Sequence, residues 1–161
     1  MIENTHERVL SQAQRAVSAA RNWPDALERA VAALKQGVPV YTWVGVYLVE
    51  GDDLVLGPFL GKPSPHTRIP VGRGICGAAV AERATIIVPD VNADPRYLAC
   101  SLETRSEIVV PILHDNEVVG EIDIDSDRPD AFGAGDRALL EEVAALLAER
   151  FGSERQGVRP A

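Results

Sequence analysis

The residues with the most chemistry to offer are two cysteines, Cys76 and Cys100, and a row of acids in which Glu121, Asp123 and Asp125 alternate with Gly120, Ile122 and Ile124. A cysteine is a nucleophile or redox centre wherever its surroundings favour the thiolate. Alternate residues of a strand share a face, so the three carboxylates stand side by side at a spacing where like charges repel. A solvated outer face tolerates such a row. Joined by Glu107 from a partner strand, the same row forms a site selective for a cationic group such as an α-ammonium. Trp43 and Tyr47, four residues apart, share a strand face, and Gly45 between them leaves space beside both rings. On their own they read as two core aromatics.

Whether Glu107 joins the row is a question of parity. A two-residue loop of Asp115 and Asn116 pairs His114 with Glu117 and sets Glu107 opposite Ile124, with its carboxylate on the wrong face. A three-residue loop, or a bulge at a residue such as Pro111 that cannot donate to the ladder, moves Glu107 opposite Asp125 and gathers the acids. The expectation is an odd-length connection or a bulge, with Glu107, Asp123 and Asp125 converging on one cavity that Trp43, Tyr47 and Cys100 also line.

The elements that must position these residues follow from period. Val9, Ala13, Ala16, Val17 and Ala20 recur at helical spacing, Asn22-Trp23-Pro24 interrupts them, and Leu27, Ala30, Val31 and Leu34 mark a second helix that ends at Gly37 and Pro39. From 42 to 49 the chain is β-branched and aromatic, and Gly51-Asp52-Asp53 turns it into a second strand over 54–60. Lys62 to His66 is a proline-interrupted loop, Gly72 to Gly77 enters a short helix through Glu82, and Thr85 to Val88 is a strand. The long polar loop from Asp90 ends at Cys100, a placement typical of functional lids. Strands over 106–113 and 118–125 and a helix over 134–151 complete one domain over residues 1–152. Within it lie a helical segment 3–36 and a core 40–151, and a flexible tail is expected over 153–161. The sum is an α+β fold, an antiparallel sheet with helices on one face and a loop-built pocket on the other.

Composition narrows the function classes. Of 161 residues, 24 are acidic and 16 are Lys or Arg, giving a net charge of −8. The basic residues are scattered singly, so no nucleic-acid partner is expected. No apolar run approaches the roughly 20 residues of a membrane span, and the polar N-terminus does not read as a secretory signal. A cytoplasmic location, with both cysteines reduced, is the expectation. His66, Cys76 and Cys100 offer three soft ligands but lack a close CxxC pair, so no metal site and no cofactor are expected. His6 and His114 read as surface residues.

Several segments in order, Tyr41 to Val49, Leu54 to Pro63, Gly72 to Gly77, Ala99-Cys100, Ser106 to Pro111 and Ile122 to Ser126, resemble the free methionine-R-sulfoxide reductase family of GAF domains over nearly all of residues 40–150. The resemblance implies a GAF fold and thiol-dependent reduction of free methionine-R-sulfoxide. Cys100 is the implied attacking thiol and thioredoxin the implied electron donor, in an enzyme of oxidative stress with a homodimeric assembly. It further implies that Glu107, Asp123 and Asp125 hold the substrate ammonium, that Trp43 and Tyr47 pack on the substrate side chain, and that a second cysteine resolves the sulfenic acid. The family's third cysteine, its usual resolving thiol, is replaced here by His66, which leaves Cys76, at the family's other cysteine, to resolve, or an external thiol, or a domain without turnover. The alternatives are a non-catalytic GAF module that binds a small molecule and a silent dimerisation module; a carboxylate row beside a loop cysteine is unneeded in the latter.

Overall fold

The sheet is built from strands whose two faces carry different residue types. In the computed structural model, which describes residues 2–99 and 101–155, six strands pair antiparallel in the order β3-β2-β1-β6-β5-β4. They are β1 (Trp43–Glu50), β2 (Asp53–Leu60), β3 (Arg68–Pro70), β4 (Ile86–Val88), β5 (Ser106–His114) and β6 (Glu117–Ser126). Val44 and Val46 of β1, Ile108, Val110 and Ile112 of β5, and Ile122 and Ile124 of β6 face one way. They meet α1 (Ile2–Ser18), α2 (Trp23–Gly37) and α4 (Ala134–Arg155) in the main core. The intervening residues Trp43, Tyr47 and Val109 face the other way, where α3 (Gly74–Glu82) and the long loops cover them in a second, smaller core. The helices are thus not confined to one face: α3 roofs the pocket side.

The helix starts follow local chemistry. The Asn22 side chain accepts the Asp25 N–H at 3.0 Å and caps α2, with Pro24 in its first turn. Asp136, in the first turn of α4, accepts the Gly133 N–H at 2.9 Å.

Three readings of the sequence need correction. The last helix does not stop at Phe151 but runs to Arg155, so residues 153–155 belong to it and not to a tail. Gly152 lies inside this helix, and a Cβ there would stand 2.5 Å from the His114 ring, so the bare glycine is what lets the imidazole pack. His114 and His6 are accordingly half-buried rather than surface residues. His114 lies edge-on to Phe151 at 5.4 Å, and His6 Nε2 lies 3.0 Å from the Asp136 carboxylate. The edge strand β3 lies in what reads as loop; it is only three residues long and ends in Pro70, which an edge position tolerates.

Candidate active site

The parity question is decided by a bulge. The β5–β6 turn is the two-residue Asp115-Asn116, with φ of 50° and 68°, and His114 pairs with Glu117. Leu113 then pairs with Val118 but Ile112 with Gly120, leaving Val119 as the extra residue. From there down the hairpin the parity is reversed, and Glu107 stands opposite Asp125. The bulge is beside the turn and not at Pro111, which pairs in register with Glu121.

All four acids therefore share one face, and they are buried. Glu121 is 0%, Asp123 2%, Asp125 4% and Glu107 5% exposed, which excludes a solvated outer face. β1 supplies the next row, with Tyr47 opposite Glu121, Gly45 opposite Asp123 and Trp43 opposite Asp125. A Cβ on Gly45 would stand 2.3 Å from the Trp43 ring, so the glycine lets the indole fold flat along the strand and stack on Phe59 at 5.7 Å. Both aromatic polar tips reach the loop that follows β2: Trp43 Nε1–H donates to the Lys62 carbonyl at 2.9 Å, and Tyr47 O–H to the His66 carbonyl at 2.7 Å.

Cys76 reaches the acids from α3, and its Sγ–H donates to Asp123 Oδ2 at 3.3 Å. Burial pushes the thiol well above its ordinary pKa, and the carboxylates of Asp123, Glu121 and Glu107 push it further. In this arrangement Cys76 is a proton donor and not a thiolate. Burial likewise raises Glu121 well above the carboxylate range, against a contact with Cys76 and with added repulsion from Asp123. Asp123 and Asp125 are raised by burial and partly restored by hydrogen bonding to Glu107. Both Glu121 oxygens, Asp123 Oδ1 and Asp125 Oδ1 have no hydrogen-bond partner among the described residues. The sequence places Glu121 in the row, yet only the fold shows that it is the most deeply buried of the acids and lies against Cys76.

Tyr47, His66, Ile75, Cys76, Leu98, Glu107 and Asp123 line a cavity of about 20 Å³, the space of a single water. Trp43 and Asp125 do not line it. They line a neighbouring cavity of about 140 Å³ with Lys62, Ser64, Ser101 and Thr104. Where the sequence suggests one cavity, there are two, one lined by Leu98 and the other by Ser101. Cys100 itself lies outside the described residues. The loops around it are tied together: His66 Nε2–H donates to the Ala99 carbonyl at 3.0 Å, and Lys62 Nζ pairs with Glu103. The site can thus hold a cation against buried acids, with an aromatic ring on each cavity, Tyr47 on one and Trp43 on the other, for apolar contact.

The GAF domain family matches residues 22–151. The chain is 41% identical to the free methionine-R-sulfoxide reductase of Escherichia coli over 116 residues, 72% of this chain and 70% of that one. It is 39% identical to the GAF domain-containing protein A of Dictyostelium discoideum over 146 residues, 90% of this chain and 91% of that one. Its fold superposes on the free methionine-R-sulfoxide reductase of Neisseria meningitidis, solved in complex with its substrate, with a TM-score of 0.90 and 42% identity, covering 94% of this chain and 91% of that one. With its six-stranded sheet and its buried acids in one row, this chain belongs to the free methionine-R-sulfoxide reductase family of GAF domains.

Proposed function

We propose that this protein reduces free methionine-R-sulfoxide to methionine. The observation that carries the reading is the convergence of Glu107 and Asp123 with Tyr47 on a small cavity that Leu98, of the loop leading into Cys100, also lines, in a chain so similar to named reductases. The buried acids hold the substrate ammonium, with Asp125 completing the row, and Trp43 and Tyr47 pack against the substrate side chain. The Cys100 thiol attacks the sulfoxide sulfur; the sulfoxide S–O bond breaks, methionine leaves, and Cys100 is left as the sulfenic acid. The departing oxygen needs a proton, and acids whose pKa burial has raised are suited to supply one.

A second thiol then attacks the sulfenic sulfur, forming a disulfide and releasing water. Cys76 is the internal candidate, and it must first give its proton to Asp123, the acceptor already in place. Thioredoxin, as a dithiol donor, regenerates both thiols. His66, at the place of the family's third cysteine, has no thiol to offer; it ties the two loops together instead. A cavity of about 20 Å³ is too small for methionine sulfoxide, so substrate entry requires these loops to part.

The test is turnover of the two epimers of free methionine sulfoxide, under a thioredoxin system and separately under dithiothreitol. The R epimer is reduced and the S epimer is not. Peptide-bound methionine sulfoxide is a poor substrate, because acylation removes the charge the acids hold. Binding of the R epimer without turnover under either reductant would replace the reading with a non-catalytic binding module.

A further inference from the structure

We infer that Cys76, Glu107 and Asp123 form a binding site for a borderline-soft divalent cation, with zinc as the natural probe, and that the ion blocks the pocket. One thiol and two carboxylates come from three elements, α3, β5 and β6, and their ligand atoms lie within 4.8 Å of one another. Two ligands at zinc–sulfur and zinc–oxygen bond lengths around a tetrahedral ion stand about 3.5 Å apart. Cys76 Sγ and Asp123 Oδ2 stand 3.3 Å apart, so that edge of the coordination shell is already formed.

The second observation is unmet hydrogen-bonding capacity. Asp123 Oδ1 and both Glu121 oxygens are buried without a hydrogen-bond partner among the described residues, although Glu121 lies against the Cys76 sulfur. A buried polar atom without a partner is costly. Of the residues that carry these oxygens, Asp123 lines the cavity, together with Cys76 and Glu107, and an ion is a ligand that meets all three donors together. Size agrees. The cavity of about 20 Å³ admits one water or one ion and not an amino acid. Donor chemistry selects among ions, since carboxylates alone suit magnesium or calcium, whereas the sulfur shifts the preference to zinc and its relatives. On binding, the Cys76 S–H bond breaks, the proton leaves to solvent, and a metal–sulfur bond forms, with water in the fourth position.

The ion occupies the place proposed for the substrate ammonium, so zinc competes with methionine sulfoxide. Only this inhibitory consequence rests on the proposed function. Binding is tested without substrate on the full chain carrying Cys100→Ala, by calorimetric titration with zinc and by the ultraviolet thiolate charge-transfer band with cadmium. One ion binds per chain. Further substitution with Cys76→Ala removes the band and weakens zinc at least about 100-fold, the upper end of what loss of even an outer-shell partner costs. Glu107→Gln, which keeps the thiol and the shape, weakens zinc while the cadmium band persists. A Cys76→Ala protein that still binds zinc unchanged, or a band that vanishes with Cys100→Ala and not with Cys76→Ala, overturns the assignment. Zinc binding in a protein without turnover would remove the proposed function and leave this site standing; turnover insensitive to zinc would do the reverse.

Discussion

On the helix-covered face of the sheet, the buried acid Asp136 accepts the Tyr41 hydroxyl at 2.6 Å, the Gly133 N–H at 2.9 Å and, at 3.0 Å, His6. On the pocket face, Glu121 is more deeply buried and neither of its oxygens has a hydrogen-bond partner among the described residues. The same sheet thus carries polar groups that are met and polar groups that are left waiting. Where every partner is supplied, a buried acid fixes one arrangement: Asp136 joins the start of α4 to the end of the α2–β1 connection and to α1. Where partners are withheld, the acids are raised by burial and remain available to a ligand. The difference separates a surface built to hold the fold from one built to receive something.

That contrast can be broken hardest at the thiols. Cys100→Ser lowers single-turnover methionine release by more than about 10³-fold, as loss of a nucleophile does. Cys76→Ser spares that single turnover and lowers only the thioredoxin-linked rate, because in the proposed mechanism its thiol acts after the first step. Rapid-quench measurement of released methionine decides it; equal loss in both variants would sink the division of roles.

Stability sharpens the comparison from the other face. Ile124 is fully buried in the main core between Asp123 and Asp125, and Ile124→Ala costs about 2–5 kcal/mol through lost burial and the cavity left behind. Three residues earlier on the opposite face, Glu121→Met costs nothing or raises the stability. It replaces an unpartnered buried carboxyl with an apolar chain of similar length, whereas a satisfied buried group costs about 1–3 kcal/mol to orphan. Urea melts of the two variants give the signs. A Glu121→Met protein weakened as much as Ile124→Ala would show that Glu121 is held by partners after all.

Much of this contrast is legible in the residue order. Period-two alternation over Ser106 to Ser126 separates isoleucines from acids, and parity alone demands an odd-length connection or a bulge if Glu107 is to join them. What alternation cannot supply is where the bulge falls, since Val119 carries no marker that Pro111 does not carry more strongly. The end of the last helix is misplaced because nothing local shows that the chain stays helical through Gly152, where the bare glycine makes room for His114 from across the fold. His6 and His114 read as surface residues because their partners, Asp136 and Phe151, are far away in the chain. The burial of the acid row and the division of the pocket into two cavities depend on how α3 and the loops settle over the sheet, which no local pattern encodes.

The smallest effect is electrostatic and belongs to the satisfied face. Asp25, near the start of α2, accepts the Arg21 backbone N–H at 2.9 Å and the Arg29 side chain at 3.0 Å. The backbone bond first, then the Arg29 bond, lowers its pKa to about 2, below the roughly 3.9 of an unfolded aspartate. A lowered folded-state pKa means that the unfolded chain takes up the proton first. The carboxylate's stabilisation is therefore complete above the unfolded value and is lost as pH falls through the folded one. Asp25→Asn removes the titrating group, so the gap in melting temperature between the two proteins is steady near neutrality and closes between about pH 4 and about pH 2. Arg21 and Arg29 reach into solvent, so added salt trims their share while the backbone bond keeps its own. A gap that widens on acidification would reverse the sign and place Asp25 with the acids of the pocket, raised and unmet.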